Sequence, residues 1–323
     1  MLIINKKIII IFDYLKKLLL KMFNNLHLKQ KKTINTYTNS ITCISNFPSG
    51  NFVLVSSNNI IQIYDIEYKI IQTIKEAHDK GINYVNIKDE NNFVTCSRDN
   101  TIKTWIKIND KEHKNKYILN KIINNAHKEN GIYTVIYDLN NHLISCSKDK
   151  TIKIWEEINK NEYQNNVILT HSDSIKSILL LKDKNILISS GYDGTKFWNI
   201  NNYECLIYMK ELICCWWNSL KRIDKDRIII GNENGPSKII SISEKKIIKE
   251  IETVSCYSIC IINNKGIFVI GGYNIINIYK SDNYDNIQTI LYNHNGCIYG
   301  INELKNGDLI SYGRNGKIKI WTF

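Results

Sequence analysis

Four segments, SRDNTIKTW (97–105), SKDKTIKIW (147–155), GYDGTKFW (191–198) and GRNGKIKIW (313–321), are versions of one phrase. Each begins with a polar turn and ends, after a strand-like run, on Trp105, Trp155, Trp198 or Trp321. A histidine stands upstream of each at nearly constant distance: His78, His127, His171 and His294 precede their Trp by 27, 28, 27 and 27 residues. Between histidine and turn lies a second apolar run, such as FVTCS (93–97), HLISCS (142–147) or ILISS (186–190). A two-part signal repeated four times at locked spacing makes this a repeat protein, and every later reading depends on that period.

Three weaker copies fill the gaps. Tyr64, Ile240 and Tyr279 stand where a Trp would fall, so seven anchors step by 41, 50, 43, 42, 39 and 42 residues. That is the blade length of a propeller whose unit is a four-stranded antiparallel sheet. On these residues the chain resembles the WD-repeat family from about residue 30 to 323, although Ala, Thr or Asn precedes each histidine and no Trp-Asp dipeptide occurs, Tyr64-Asp65 being nearest. The resemblance implies an all-β seven-bladed propeller spanning 28–323. The last repeat stops at Thr322-Phe323, after its third strand, and the segment at about Leu28–Asn35 has the phase of an outer strand. It is expected to pair with the last blade and close the ring, because an unpaired sheet edge would otherwise be exposed.

Each strong repeat carries a His, a hydroxyl, a carboxylate and a Trp: His78, Thr95, Asp99 and Trp105; His127, Ser145, Asp149 and Trp155; His171, Ser189, Asp193 and Trp198. The seventh has His294, Ser311, Asn315 and Trp321. These are the parts of a nucleophilic triad, but an enzyme needs one triad in one pocket with an oxyanion site, not copies spread around a ring. Similarity to WD repeats implies a buried structural relay instead, running from indole to hydroxyl to imidazole to carboxylate. No metal cluster, phosphate loop or catalytic acid pair is legible, so no enzyme activity, cofactor or metal is expected.

The resemblance also locates a binding face, because two positions per WD repeat project at the narrow end of the channel. By register the first set is Thr42, Asn83, Tyr133, Lys176, Asn218, Tyr257 and Tyr299. The second is Arg98, Lys148, Tyr192 and Arg314, with Glu233 and Gly272 as looser matches. Two of only four arginines fall in that second set. Strand alternation buries Trp217 and leaves Trp216 near the rim. Arg, Lys and Tyr around a rim suit protein partners, and acidic or phosphorylated peptides in particular.

The formal charge of +12 is unevenly placed: residues 1–32 hold eight Lys against Asp13 alone. The body is only mildly basic, which argues against nucleic acid as a partner. Residues 1–27 carry Ile8, Ile11, Phe12, Leu15, Leu18, Leu19, Met22 and Leu26 at helical spacing, with lysines largely opposite. This basic amphipathic segment is too short of apolar length to span a bilayer, and no secretory signal is legible. It could lie on an anionic membrane surface, dock on the propeller or a partner, or be an unordered tail. Nine cysteines without a CxxC pair read as buried free thiols in a reducing, cytoplasmic or nuclear setting. The expected role is an interaction scaffold or adaptor within a larger complex. A membrane-recruited propeller is the alternative and a ubiquitin-ligase substrate receptor a narrower version.

Overall fold

The computed structural model describes residues 26–36, 38–109, 115–129, 131–159, 162–253, 255–291 and 294–323. The amphipathic segment 1–27 therefore falls outside them, except for Leu26 and His27.

Isoleucine-rich runs, buried along nearly their whole length in the second strand of each blade and largely exposed in the outer strand, pair into seven four-stranded antiparallel sheets. Six are built from consecutive strands, spanning 41–74, 82–123, 132–170, 175–209, 220–251 and 258–291. The seventh combines Ile298–Glu303, Leu309–Gly313 and Lys317–Thr322 with the first strand of the chain, Lys29–Asn35, as its outer member. That strand runs antiparallel to the last, with Lys29 opposite Thr322 and Asn35 opposite Lys317. The fold is thus an all-β seven-bladed propeller whose two ends share one blade.

The core is a ring of seams rather than one centre. Seven apolar clusters are present among the described residues, one between each pair of neighbouring blades. Every anchor fills the seam facing the preceding blade. Trp105, Trp155, Trp198 and Trp321 do so in the strong repeats, and Tyr64, Ile240 and Tyr279 in the weak ones. The weak anchors keep the aromatic packing where they can: Tyr64 stacks on Phe52 at 4.9 Å and Tyr279 on Phe268 at 5.2 Å, as Trp105 does on Phe93 at 5.8 Å. A register shift in the outer ladder falls beside the anchor in all seven blades, so the bulge belongs to the repeat and survives loss of the Trp.

Gly300 is among the glycines dictated by packing. A Cβ at Gly300 would sit 1.9 Å from the Tyr312 ring and hydroxyl, and Tyr312 is fully buried. The nine cysteines are all free thiols, six of them buried, while Cys205 is exposed on an outer strand. Among the described residues no helix is long and apolar enough to cross a membrane.

Candidate functional site

Each strong blade holds a chain of side-chain hydrogen bonds from core to surface. In blade 3, Trp155 Nε1 donates to Ser145 Oγ at 2.9 Å, and Ser145 Oγ lies 2.8 Å from His127 Nε2. His127 Nδ1 faces both Asp149 oxygens at 3.0 Å. The Asp149 carboxylate can only accept, so the imidazole proton lies on Nδ1 facing it, and Nε2 of the neutral ring accepts from the Ser145 hydroxyl, which in turn accepts from the indole. Blade 2 repeats this with Trp105 to Thr95 at 2.9 Å, Thr95 to His78 at 2.8 Å and His78 to Asp99 at 2.9 Å. Blade 4 has Trp198, Ser189, His171 and Asp193 at 2.8, 2.7 and 2.7 Å. In blade 7, Trp321 and His294 each lie 2.8 Å from Ser311, but Asn315 is 3.4 Å from His294.

All four hydroxyls have no exposed surface, so no substrate carbonyl can reach them. The arrangement holds the histidine loop against the turn. Two further residue types join it. Thr101 and Thr151 bond both the carboxylate and the imidazole, while Lys103, Lys153 and Lys196 donate to the carbonyl just before each histidine. The Asp-x-Thr-x-Lys order of 99–103 and 149–153, shortened to Asp-Gly-Thr-Lys at 193–196, carried that signal.

Burial is the largest influence on these imidazoles and holds His78, His127 and His171 below their ordinary value, against the pull of the carboxylates. Burial alone would raise Asp99 and Asp149, but the bonds from histidine and threonine outweigh it and leave both carboxyls well below the usual range. His294, which has no carboxylate, is pushed down to about 4. The unfolded chain takes up that proton near 6.5 whereas the folded one does so only near 4, so stability is full above 6.5 and declines as the pH falls between them. The decline from His294 alone should be roughly 3 kcal/mol. Thermal melts at about pH 7.5 and about pH 4.5 should show it, and an unchanged midpoint would exclude it.

The register positions expected to form the rim have a different architecture. In five blades a bulge opens the inner strand at the register position of the first set, at Thr42, Asn83, Tyr133, Lys176 and Tyr299. Such a bulge re-aims the side chain of the extra residue. The expectation that all of these project outward is corrected by their burial. Thr42 Oγ1 bonds the Ile82 carbonyl at 2.6 Å, Asn83 Nδ2 the Ile132 carbonyl at 2.8 Å, and Asn218 Nδ2 the Tyr299 carbonyl at 2.8 Å. The small polar residues at this position stitch blades together, Lys176 and Tyr257 are buried as well, and Tyr133 and Tyr299 are half-buried. Gly272 is likewise buried, and Tyr273 beside it is the exposed residue.

Five of the rim residues converge. Arg98, Tyr133, Lys176, Tyr192 and Trp216 line one pocket of about 420 Å³, together with Lys80, Cys215 and Trp217. Lys176 is buried, with Nζ 3.6 Å from the Tyr133 ring centre and 4.9 Å from that of Tyr192. Burial holds its pKa below the ordinary value. Arg98 Nε is steadied by Asn83 Oδ1 at 3.1 Å. Trp216 and Trp217 lie in a turn ahead of Leu220–Arg222, so strand alternation does not govern them. Trp217 is nevertheless the buried one, its Nε1 donating to the Thr42 carbonyl at 3.1 Å.

Tyr257 and Tyr299 sit beside this pocket rather than in it. Trp216 packs between them at 5.0 Å from each, and Glu233 accepts from Trp216 Nε1 and Tyr257 Oη at 3.1 Å. Glu233 therefore braces the aromatic cluster. Lys148 and Arg314 are exposed and do not line the pocket, though Arg314 and Arg98 both pull down the Tyr299 hydroxyl that burial raises. Lys80 was missed, since it lies two residues after His78, outside both register positions.

A family model described as WD domain, G-beta repeat, matches residues 28–65, 68–105 and 120–156. The first match ends on the Tyr64 repeat, so the weak anchor did not hide that blade. No curated protein matches the sequence. Among the described residues, no group of three or more His, Cys, Asp or Glu gathers as a metal site.

Proposed function

Since the chain is a seven-bladed propeller with WD40 repeats at three positions, an architecture consistent with a protein-interaction scaffold, we propose that it holds a protein partner on its narrow face. The pocket bounded by Arg98, Lys176 and Trp216 takes an acidic or phosphorylated segment of that partner, and the protein carries out no chemistry on it. One observation carries this reading: three cations, Lys80, Arg98 and Lys176, meet aromatic walls in a pocket that no carboxylate lines. Arginine provides the planar fork that grips a carboxylate or phosphate, and the rings supply rigid area that loses little entropy on binding.

The test is a fluorescently labelled peptide library containing acidic, phosphorylated and neutral sequences. Acidic or phosphorylated peptides should bind at least about tenfold tighter than neutral ones, and a K80E/R98E variant should lose that preference while melting normally. Binding should also weaken with added salt. A folded K80E/R98E variant that keeps the wild-type preference would exclude this pocket.

A further inference from the structure

The channel has a second mouth on the opposite, wide face. There a cavity of about 440 Å³ opens among the turns that follow the inner strands of blades 2, 3 and 4 and the inner strand of blade 5. Trp217 lines both this cavity and the narrow-face pocket, so one indole separates them. The walls include Tyr84, Tyr137 and Leu180, and three lysines face the space: Lys88, Lys182 and Lys221.

None of the three forms an ion pair among the described residues, and the nearby acids are already engaged. Asp138, the one carboxylate among the described residues lining the cavity, accepts from the Asn140 and His142 amides at 2.7 and 2.8 Å and from His142 Nδ1 at 3.0 Å. Asp183 is held by Arg222 at 2.5 and 2.8 Å. Glu90 accepts from the Ser49 amide at 2.9 Å and lies 3.9 Å from Lys107. Lys88 Nζ stands 5.6 Å from the Tyr137 ring. Lys221 is half-buried on the inner strand of blade 5. Burial raises the Cys43 and Cys260 thiols, on blades 1 and 6, to about 11 and about 12; Lys221 pulls against both shifts, and Glu303 adds to that of Cys260.

Lys221 is a half-buried cation without an ion-pair partner among the described residues, which is costly, and the exposed Lys88 and Lys182 at the same recess add to its positive potential. The volume lies within the range of small-molecule sites, about 300–1,000 Å³. Point-charge ammonium groups arranged around a recess suit phosphate oxygens more than a planar carboxylate. We propose that the wide-face mouth binds a compact polyanion carrying two or more phosphate groups, held by Lys88, Lys182 and Lys221. A soluble inositol polyphosphate and a phosphoinositide headgroup share that chemistry.

The test is calorimetric titration of the full chain with inositol hexakisphosphate. It compares K88Q/K182Q/K221Q with K75Q/K245Q/K249Q, a variant of equal charge at exposed positions away from the cavity. The cavity variant should lose at least about tenfold in affinity and the control less than about threefold. Co-sedimentation with phosphatidylcholine vesicles containing phosphatidylinositol 4,5-bisphosphate identifies the source. Weaker sedimentation of the cavity variant than of the control points to the lipid headgroup, and equal sedimentation alongside a calorimetric difference points to a soluble ligand. If neither assay separates the two variants, or neither detects binding, the site does not exist. Melting curves for each variant, with the exposed single change K182Q as a second case, keep a folding defect distinct from lost binding. Lys80 and Arg98 are unchanged throughout, so this result is independent of the narrow-face reading.

Discussion

A chain that starts at residue 37 should show no cooperative thermal transition and should lose its near-ultraviolet circular dichroism. The deleted strand Lys29–Asn35 is itself mostly exposed, so its apolar area is not what matters. Its loss strips the partner from Lys317–Thr322 and uncovers a sheet edge along a blade whose seam holds Trp321. It also removes the buried Leu28, the Lys31 to Asp308 ion pair at 2.8 Å, and the Thr36 hydroxyl bonded to the Gly316 carbonyl at 2.8 Å. A closed ring makes these losses cooperative. When the joint between first and last blades opens, both flanking seams open with it, and net stabilities of about 5–15 kcal/mol leave little reserve. Adding a peptide of residues 26–36 to the truncated chain should restore part of the transition. A truncated chain that melts like the full one would show that the ring does not depend on this strand.

His127→Ala should lower stability by about 3 kcal/mol and the melting midpoint by on the order of 5 °C. The imidazole is buried and bonds at both nitrogens, so its removal leaves Ser145 without an acceptor and Asp149 without a buried donor, and opens a void beside Trp155. Unsatisfied buried groups cost about 1–3 kcal/mol each, which is why the effect exceeds that of an ordinary surface change. Asp149 keeps its bonds from Thr151 and the Lys128 amide, so the turn should loosen without collapsing. Calorimetry of the variant checks this, and a midpoint within about 1 °C of wild type would refute a structural role for the relay. Ligands captured through Arg98 should be retained, because no relay residue lines that pocket.

The fold was legible because its information is local and repeated. Within one repeat, His127 and Asp149 are 22 residues apart and Ser145 and Trp155 are 10, so relay partners recur at fixed spacing and stand out without any knowledge of the ring. The weak blades were legible through their neighbours: Tyr64, Ile240 and Tyr279 lack the polar set, yet the period demanded an anchor there, and each fills the same seam. Trp216 and Trp217 show the opposite case. They depart from strand geometry, so a rule built on alternation had no purchase on them even where its outcome for Trp217 was right.

The sequence by itself therefore determined the number of blades and the anchors, since a period of about forty residues records how each blade folds on itself. Only the tertiary structure decided which rim residues share a pocket. Lys80 and Arg98 come from blade 2, Tyr133 from blade 3, Lys176 and Tyr192 from blade 4 and Trp216 from the approach to blade 5. Whether such residues meet depends on a bulge that turns one side chain inward, on a small residue that bonds the next blade instead, and on the curvature of the closed ring. Those are properties of neighbouring blades packed together, and no single repeat contains them.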